Sequence, residues 1–311
     1  MIRIGTNRRI GNAGILLAVA LAASSLFSGR AGSANATDAI AGTQAVYGQI
    51  PPDQIEHLST GERIKSAAAS GSMMAIWETL EHGERVECTD CIPAVEPLIY
   101  DATPRTREIA AWWLRRRVFG VWGPGEVYER TLLALANDPN PSRRALAAEA
   151  VGEFLAAPGG DALAAAIERD GDPNVRAAAA KALGRLNSDG KGALSRALGD
   201  VDSRVKVAAL RSAGRLNAFQ DLAAVTRLTA DPDARVRRGA VEVVGARRAA
   251  EGVSSLLGLA KSDPDPNVRN AACHALGALH DPSARPVLEE VARTDADGLV
   301  RDQATIALRR L

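Results

Sequence analysis

From about residue 131 onward, apolar positions fall at helical spacing and the same arrangement then recurs along the chain. In the stretch that opens at Asp172, the residues Val175, Ala178, Ala179, Ala182, Leu183 and Leu186 form one apolar stripe, with polar residues on the remaining faces. The stripe returns after Asp202, Asp233 and Asp265, and the aligned valines Val175, Val205, Val236, Val268 and Val300 are 30, 31, 32 and 32 residues apart. The leading Asp offers a carboxylate to the free amides of a first helical turn, and the Pro that follows Asp172 and Asp265 loses no hydrogen bond there. Ahead of each Asp lies another amphipathic stretch, such as Leu194 and Leu198, then Leu222, Val225 and Leu228, then Val253, Leu256, Leu257 and Leu259. A short helix pair cannot bury such faces alone, so pairs must stack, and a period held this closely is the signature of a solenoid. The pattern predicts an all-α fold, an α-α superhelix of about seven helix pairs, with second helices starting near Thr103, Pro141, Pro173, Ser203, Ala234, Pro266 and Gly298.

Four segments, 172–184, 202–214, 233–245 and 265–277, superpose on the pattern D-x-x-V-R-x-x-A-x-x-A-L-G with local departures. On these residues the chain resembles the HEAT repeat, in the short form of roughly 30 residues found in phycobilisome-lyase-type repeat proteins. The resemblance covers residues 92–311 and implies an armadillo-like helical solenoid. The first two units fit least well, keeping Arg107 and Arg144 at the repeated basic position without the preceding valine. The last unit substitutes Asp302 and Arg309, a charged end as expected of a terminal cap.

Upstream of the array the character changes. Arg3, Arg8 and Arg9 precede an apolar and small-residue stretch at 14–27, and Ser33-Ala34-Asn35-Ala36 offers a small-residue cleavage site, the layout of a secretory signal peptide over residues 1–36. About 14 apolar residues are short for a spanning helix, which needs about 20, so no membrane span is expected after removal of the signal. Losing Arg3, Arg8, Arg9 and Arg30 turns the formal charge of +1 for the 311-residue chain into −3. Neither value suits a nucleic-acid binder on bulk electrostatics. Residues 37–71, rich in Gly, Ala, Ser, Thr and Pro, read as a flexible linker. Residues 72–130 read as an N-terminal helical cap module that includes the first repeat, starting with a helix capped by Ser72, and 131–311 as the repeat array proper.

Three sets of residues are candidates for function. The cations Arg107, Arg144, Arg176, Lys206, Arg237, Arg269 and Arg301 recur in every unit, which favours a structural ladder pairing with Asp172, Asp202, Asp233, Asp265 and Asp297 over a binding track. On the outward face of the second helices, Lys181, Arg185, Arg211, Arg215 and Arg238 form a modest basic cluster without aromatic residues for base stacking. In the N-terminal module, Cys88 and Cys91 form a C-x-x-C pair, either a structural staple or a redox couple, in which Pro93 marks a helix start whose amides would stabilise a thiolate. All four tryptophans, Trp77, Trp112, Trp113 and Trp122, sit in the same module as hydrophobic plugs or as anchors for a partner.

Catalytic signals are missing. None of His57, His82, His274 and His280 precedes a Glu, so the paired metal motifs of the HEAT-like hydroxylase that makes hypusine are absent, and there is no nucleophile elbow or P-loop. The sequence therefore reads as a non-enzymatic, exported, periplasmic scaffold, monomeric, without cofactor or metal, that binds another protein and no nucleic acid. A thiol-redox or electron-transfer accessory using Cys88 and Cys91 is the alternative, and a lyase- or hydroxylase-type enzyme a third.

Overall fold

The computed structural model describes residues 60–84, 86, 88–118, 125–155 and 158–311. The expected signal peptide, most of the expected linker and Trp122 lie outside the described residues. Among those described there are sixteen α-helices and no strand. The chain begins with a hairpin of α1 (Gly61–Ser70) and α2 (Met73–His82), followed by a short α3 (Ile92–Val95) between 3-10 turns, and α4 (Pro104–Val118). Six pairs then run in succession: α5 (Glu126–Asn137) with α6 (Pro141–Phe154), α7 (Gly159–Arg169) with α8 (Pro173–Arg185), and α9 (Ala193–Leu198) with α10 (Ser203–Arg215). They continue as α11 (Leu222–Arg227) with α12 (Ala234–Ala246), α13 (Val253–Ser262) with α14 (Pro266–Leu279), and α15 (Arg285–Thr294) with α16 (Gly298–Leu308).

Helix α1 corrects the expected linker, which ended at residue 71. Thr60 accepts the Arg63 amide as N-cap, and Ile64 and Ala67 are buried. The Ala- and Ser-rich sequence of α1 offers a single large apolar side chain, Ile64, to mark the buried face, which is why the segment reads as a polar linker. Helices α1 and α2 lie on α3 and α4 respectively, and in the later pairs each second helix lies on the next, from α4 on α6 to α14 on α16. The hairpin thus stands as a further pair in front of the expected seven.

The second helices start as their caps require. The side chains of Asp172, Asp202, Asp233, Asp265 and Asp297 each accept a first-turn amide, and Asn140 does so for α6. The repeat valines Val175, Val205, Val236 and Val268 are fully buried and Val300 is nearly so. The glycine that closes the motif does not stop the helix but sets how closely the second helices stack. A Cβ on Gly152 or Gly277 would sit 2.9 Å from the Cα of Ala182 or Ala307, and one on Gly184 would sit 2.5 Å from Ser212 Oγ. Only a missing side chain admits backbones this close.

Candidate interaction face

The recurrent cations form a ladder, but with different partners from those the sequence suggested. In five of the six pairs from α5 to α16 the turn between the two helices carries two acidic residues, two positions apart; in the α5–α6 turn the second is Asn140. The second is spent on its helix cap. The first takes the cation of the preceding pair: Arg144 holds Asp170, Arg176 holds Asp200, Lys206 holds Asp231, Arg237 holds Asp263 and Arg269 holds Asp295. In the four arginine rungs Nε and Nη2 each meet one carboxylate oxygen at 2.7–2.9 Å, while Nη1 donates to the backbone carbonyl six residues earlier. The same carboxylate accepts the amide of the capping residue, as Asp263 does from Asp265 at 2.9 Å. The Arg144 and Arg269 guanidiniums hold the Asp170 and Asp295 carboxyls below the usual carboxylate range. Arg107 departs from the rule and takes Glu149 on α6 instead, while Asp138 pairs with Arg143. The first acid of each turn could have been found from sequence, since Asp170, Asp200, Asp231, Asp263 and Asp295 recur with the period of the valines.

The face carrying the basic cluster is more nearly neutral than its composition implies. Lys181 meets Glu149, Arg185 meets Glu153, and Arg238 pairs along its own helix with Glu242 at 3.4 Å. Burial raises the Glu153 carboxyl while Arg185 opposes that rise. Arg211 and Arg215, one turn apart on α10, are exposed and meet no carboxylate of the described residues. Beyond them, a groove of about 520 Å³ runs along α12, α14 and α16, rimmed by Arg238, Glu242, Asn270, His274 and Gln303 over a floor of Gly and Ala. A smaller one of about 220 Å³ lies along α4, α6 and α8.

At the N-terminal end the tryptophans separate. Trp113 is fully buried, and its indole N–H donates to the Gly83 carbonyl at 3.0 Å, so its place is the core and not a partner surface. The Arg117 guanidinium stacks on that ring at 3.5 Å and donates to the carbonyls of Trp113, Gly83, Glu84 and Val86. This clamp fixes the loop between α2 and the cysteines, and nothing in the arginine run at 115–117 singled it out. Trp77 and Trp112 are half-buried against the core. Cys88 and Cys91 are joined in a disulfide, with Cys91 fully buried and Cys88 half-exposed. The helix after Pro93 is only four residues long, too short to carry much dipole; the sulfurs instead meet the first residue of α1, where a Cβ on Gly61 would lie 3.0 Å from Cys88 Sγ. Cys273 is a fully buried free thiol that burial pushes up to about 12, which disfavours its thiolate. No group of three or more metal-ligating side chains exists among the described residues, and none of their helices is long and apolar enough to cross a membrane.

Residues 128–212, 160–231 and 222–309 each match the family of HEAT repeats, and together these matches span more than half of the chain. No curated protein matches the sequence significantly. Among solved structures, the Escherichia coli protein YibA is similar at 17% identity and a TM-score of 0.55, over 85% of this chain and 100% of that one. A chain of the Kap95p–RanGDP complex is similar at 15% identity and a TM-score of 0.55, over 79% of this chain and 38% of that one. A chain of the CpcE–CpcF phycocyanin lyase complex from Nostoc sp. is similar at 21% identity and a TM-score of 0.40, over 70% of this chain and 86% of that one. At such identities the likeness is one of fold alone. With 221 matching chains, the fold is too widely shared to select a function.

Proposed function

The chain belongs to the family of HEAT-repeat proteins, and from that premise we propose that it is a non-enzymatic scaffold of the cell envelope that binds another protein along its second helices. The observation that carries this reading is the division of labour among the cations. The recurrent ones are half-buried in the ladder and fix the stack, whereas the outward positions differ from one helix to the next: half-buried Glu149 and Glu153 on α6, exposed Lys181 and Arg185 on α8, Arg211 and Arg215 on α10, Glu242 and Ala246 on α12. A rigid stack with a varied face can match one partner over several repeats. Kap95p, a solenoid of similar fold, binds RanGDP. Exposed Arg211 and Arg215 favour acidic residues on the partner, opposite α10.

The test is affinity capture by the mature protein from a periplasmic fraction, followed by binding of the purified partner. Arg211→Glu with Arg215→Glu should abolish that binding while leaving thermal unfolding unchanged; full binding by the double variant would remove this face from the proposal. Export rests on the layout of residues 1–36, and N-terminal sequencing of periplasmic protein should begin at Thr37. Protein retained in the cytoplasm and starting at Met1 would refute it.

A second reading has one observation in its favour. The half-exposed Cys88 and buried Cys91 have the asymmetry of an attacked and a resolving sulfur. A reduction potential well above about −300 mV would support a working thiol pair, and one below it a structural bond.

A further inference from the structure

The groove along α12 and α14 and the bare arginines of α10 belong to one surface. Counted from the repeat valine, the second, sixth and tenth positions are Val207, Arg211 and Arg215 in α10, Arg238, Glu242 and Ala246 in α12, and Asn270, His274 and Ala278 in α14. Such positions share one helix face, and α12 packs between α10 and α14, so it alone separates Arg215 from the groove. At the tenth position α12 raises only the methyl of Ala246, which leaves a low lane from the groove to Arg215. At the sixth, Glu242 stands exposed beside Arg238 and closes that row to an anion. The groove floor is low because α12 and α14 touch through their smallest residues: a Cβ on Gly245 would lie 2.7 Å from the Ala275 Cβ. One wall carries uncharged groups with hydrogen bonds to spare. Asn267, Asn270 and His274 follow one another down α14 at helical spacing and line the groove. The two amides donate to Asp265 and to the Leu299 carbonyl, their oxygens accept nothing from the described residues, and His274 is exposed.

We propose that this surface docks an extended, acidic segment of a partner protein: the segment's main chain lies in the groove against Asn267, Asn270 and His274, crosses α12 over Ala246, and sets carboxylates on Arg215 and Arg211. This mode of docking rests on the reading of the second helices as the binding face, and adds to it the form and charge of what binds. The form follows from the groove wall. A helix has already spent most of its amides and carbonyls, whereas an extended segment brings a free N–H and C=O at each residue, the partners that amide and imidazole side chains match. The charge follows from α10. Lys181 and Arg185 on α8 are held by Glu149 and Glu153, and Arg238 by Glu242, while Arg211 and Arg215 meet no carboxylate of the described residues. Packed helices about 8–10 Å apart put α14 about 16–20 Å from α10. About five or six extended residues cover that span at about 3.3 Å each, which sets the distance along the segment between the residue beside His274 and the carboxylates.

The experiment selects random twelve-residue peptides displayed on phage against the full mature protein, then measures the recovered peptides in synthetic form by fluorescence anisotropy. They should carry two acidic residues within about two positions of each other, at one end of the segment that binds. Arg211→Glu with Arg215→Glu should weaken their binding at least about a hundredfold, and Ala246→Trp, which raises a wall across the lane, at least about tenfold. Asn267→Ala with His274→Ala should also weaken it about tenfold. All of these positions are exposed, so each variant should unfold at the wild-type temperature. Recovered peptides without an acidic pair, peptides that turn helical when bound, undiminished binding to Ala246→Trp, or a selection that yields no binding peptide overturns the proposal. A dimer in sedimentation velocity that Ala246→Trp dissolves would give the lane to a second copy and also overturn it. If the captured partner is released by the arginine double variant but held as before by Ala246→Trp, the binding face stands and the extended segment falls.

Discussion

The rung between Arg237 and Asp263 gives the sharpest test of how the stack is held. Both side chains are nearly out of water, 11% and 1% exposed, and their N–O distances are 2.7 and 2.9 Å. At an effective dielectric of about 20, unit charges about 4 Å apart attract by about 4 kcal/mol, which is of the order of the cost of desolvating them. The intact rung should therefore contribute little net stability, whereas removing one partner strands the other charge at a cost of about 3–5 kcal/mol. Arg237→Met should fall in that range. Asp263→Leu should cost about 1 kcal/mol more, because Asp263 also accepts the Asp265 amide. The double variant should lose only about 1–2 kcal/mol, giving a coupling of about 5 kcal/mol or more. The assay is urea unfolding followed by far-UV circular dichroism, fitted with a stacking scheme because repeat arrays need not unfold in one step. As a control, Arg204, 50% exposed beside Asp202, should cost less than about 1 kcal/mol when changed to Ala. A double variant as unstable as the sum of its singles would refute the reasoning and leave the rung as two independent contacts.

Gly184→Val should destabilise by at least about 2 kcal/mol, because its Cβ has no room beside Ser212. In contrast, Gly258→Ala in α13, where a Cβ meets nothing within 4 Å, should stabilise by about 0.5–1 kcal/mol; both are read from urea midpoints. Replacing Cys88 and Cys91 together by Ser should cost only about 2 kcal/mol, since the bond closes a four-residue loop; a loss above about 4 kcal/mol would mean that the disulfide organises the whole N-terminal module. Asp170 and Asp295 have carboxyls depressed in the folded state, so their contribution is fully present above the ordinary value of about 3.9 and is lost as pH falls through the folded values. Thermal midpoints at low salt should hold between pH 7 and 5 and drop below about pH 4; a midpoint unchanged down to pH 2 would contradict the ladder's electrostatics.

The array was legible because it is written several times over. Any one stretch of Val, Ala and Leu could be strand or helix, but the stripe, the cap and the glycine returning together at 30–32 residues leave one reading. What escaped has physical causes. Helix α1 was hidden because Ile64 is its one large apolar side chain and it occurs once, without the recurrence that marks the later helices. The ladder partners were assigned to the capping aspartates because two acids lie within one turn, and charge alone cannot separate one facing its own amides from one reaching the preceding arginine. The basic cluster looked stronger than it is because Glu149 and Glu153 stand one period before Lys181 and Arg185, a relation visible only when equivalent positions are read down the stack. Trp113 was grouped with its neighbours by composition, while the clamp with Arg117 depends on a loop that its own sequence does not describe.

The step from α10 to α12 is where the regularity breaks, and several departures meet there. Its rung cation is Lys206, a point charge that reaches Asp231 at 2.7 Å but makes none of the backbone bonds that orient the arginines. Its motif glycine, Gly214, meets only a Val243 methyl at 3.3 Å, not the backbone or Cβ of the next helix, so the two helices lie less tightly together than their neighbours. The lost restraint is replaced from the other end: Arg247, after α12, reaches back to the carbonyls of Leu216, Asn217 and Phe219 just past α10. The stack is thus tied at this step through helix ends and not through the middle of the layer. Arg211 and Arg215 stand on that same α10, free of the acidic neighbours that neutralise α8. A repeat that only propagated the stack would gain nothing from an altered rung, a looser contact and two uncompensated charges together, and their coincidence favours α10 as the centre of the proposed binding face.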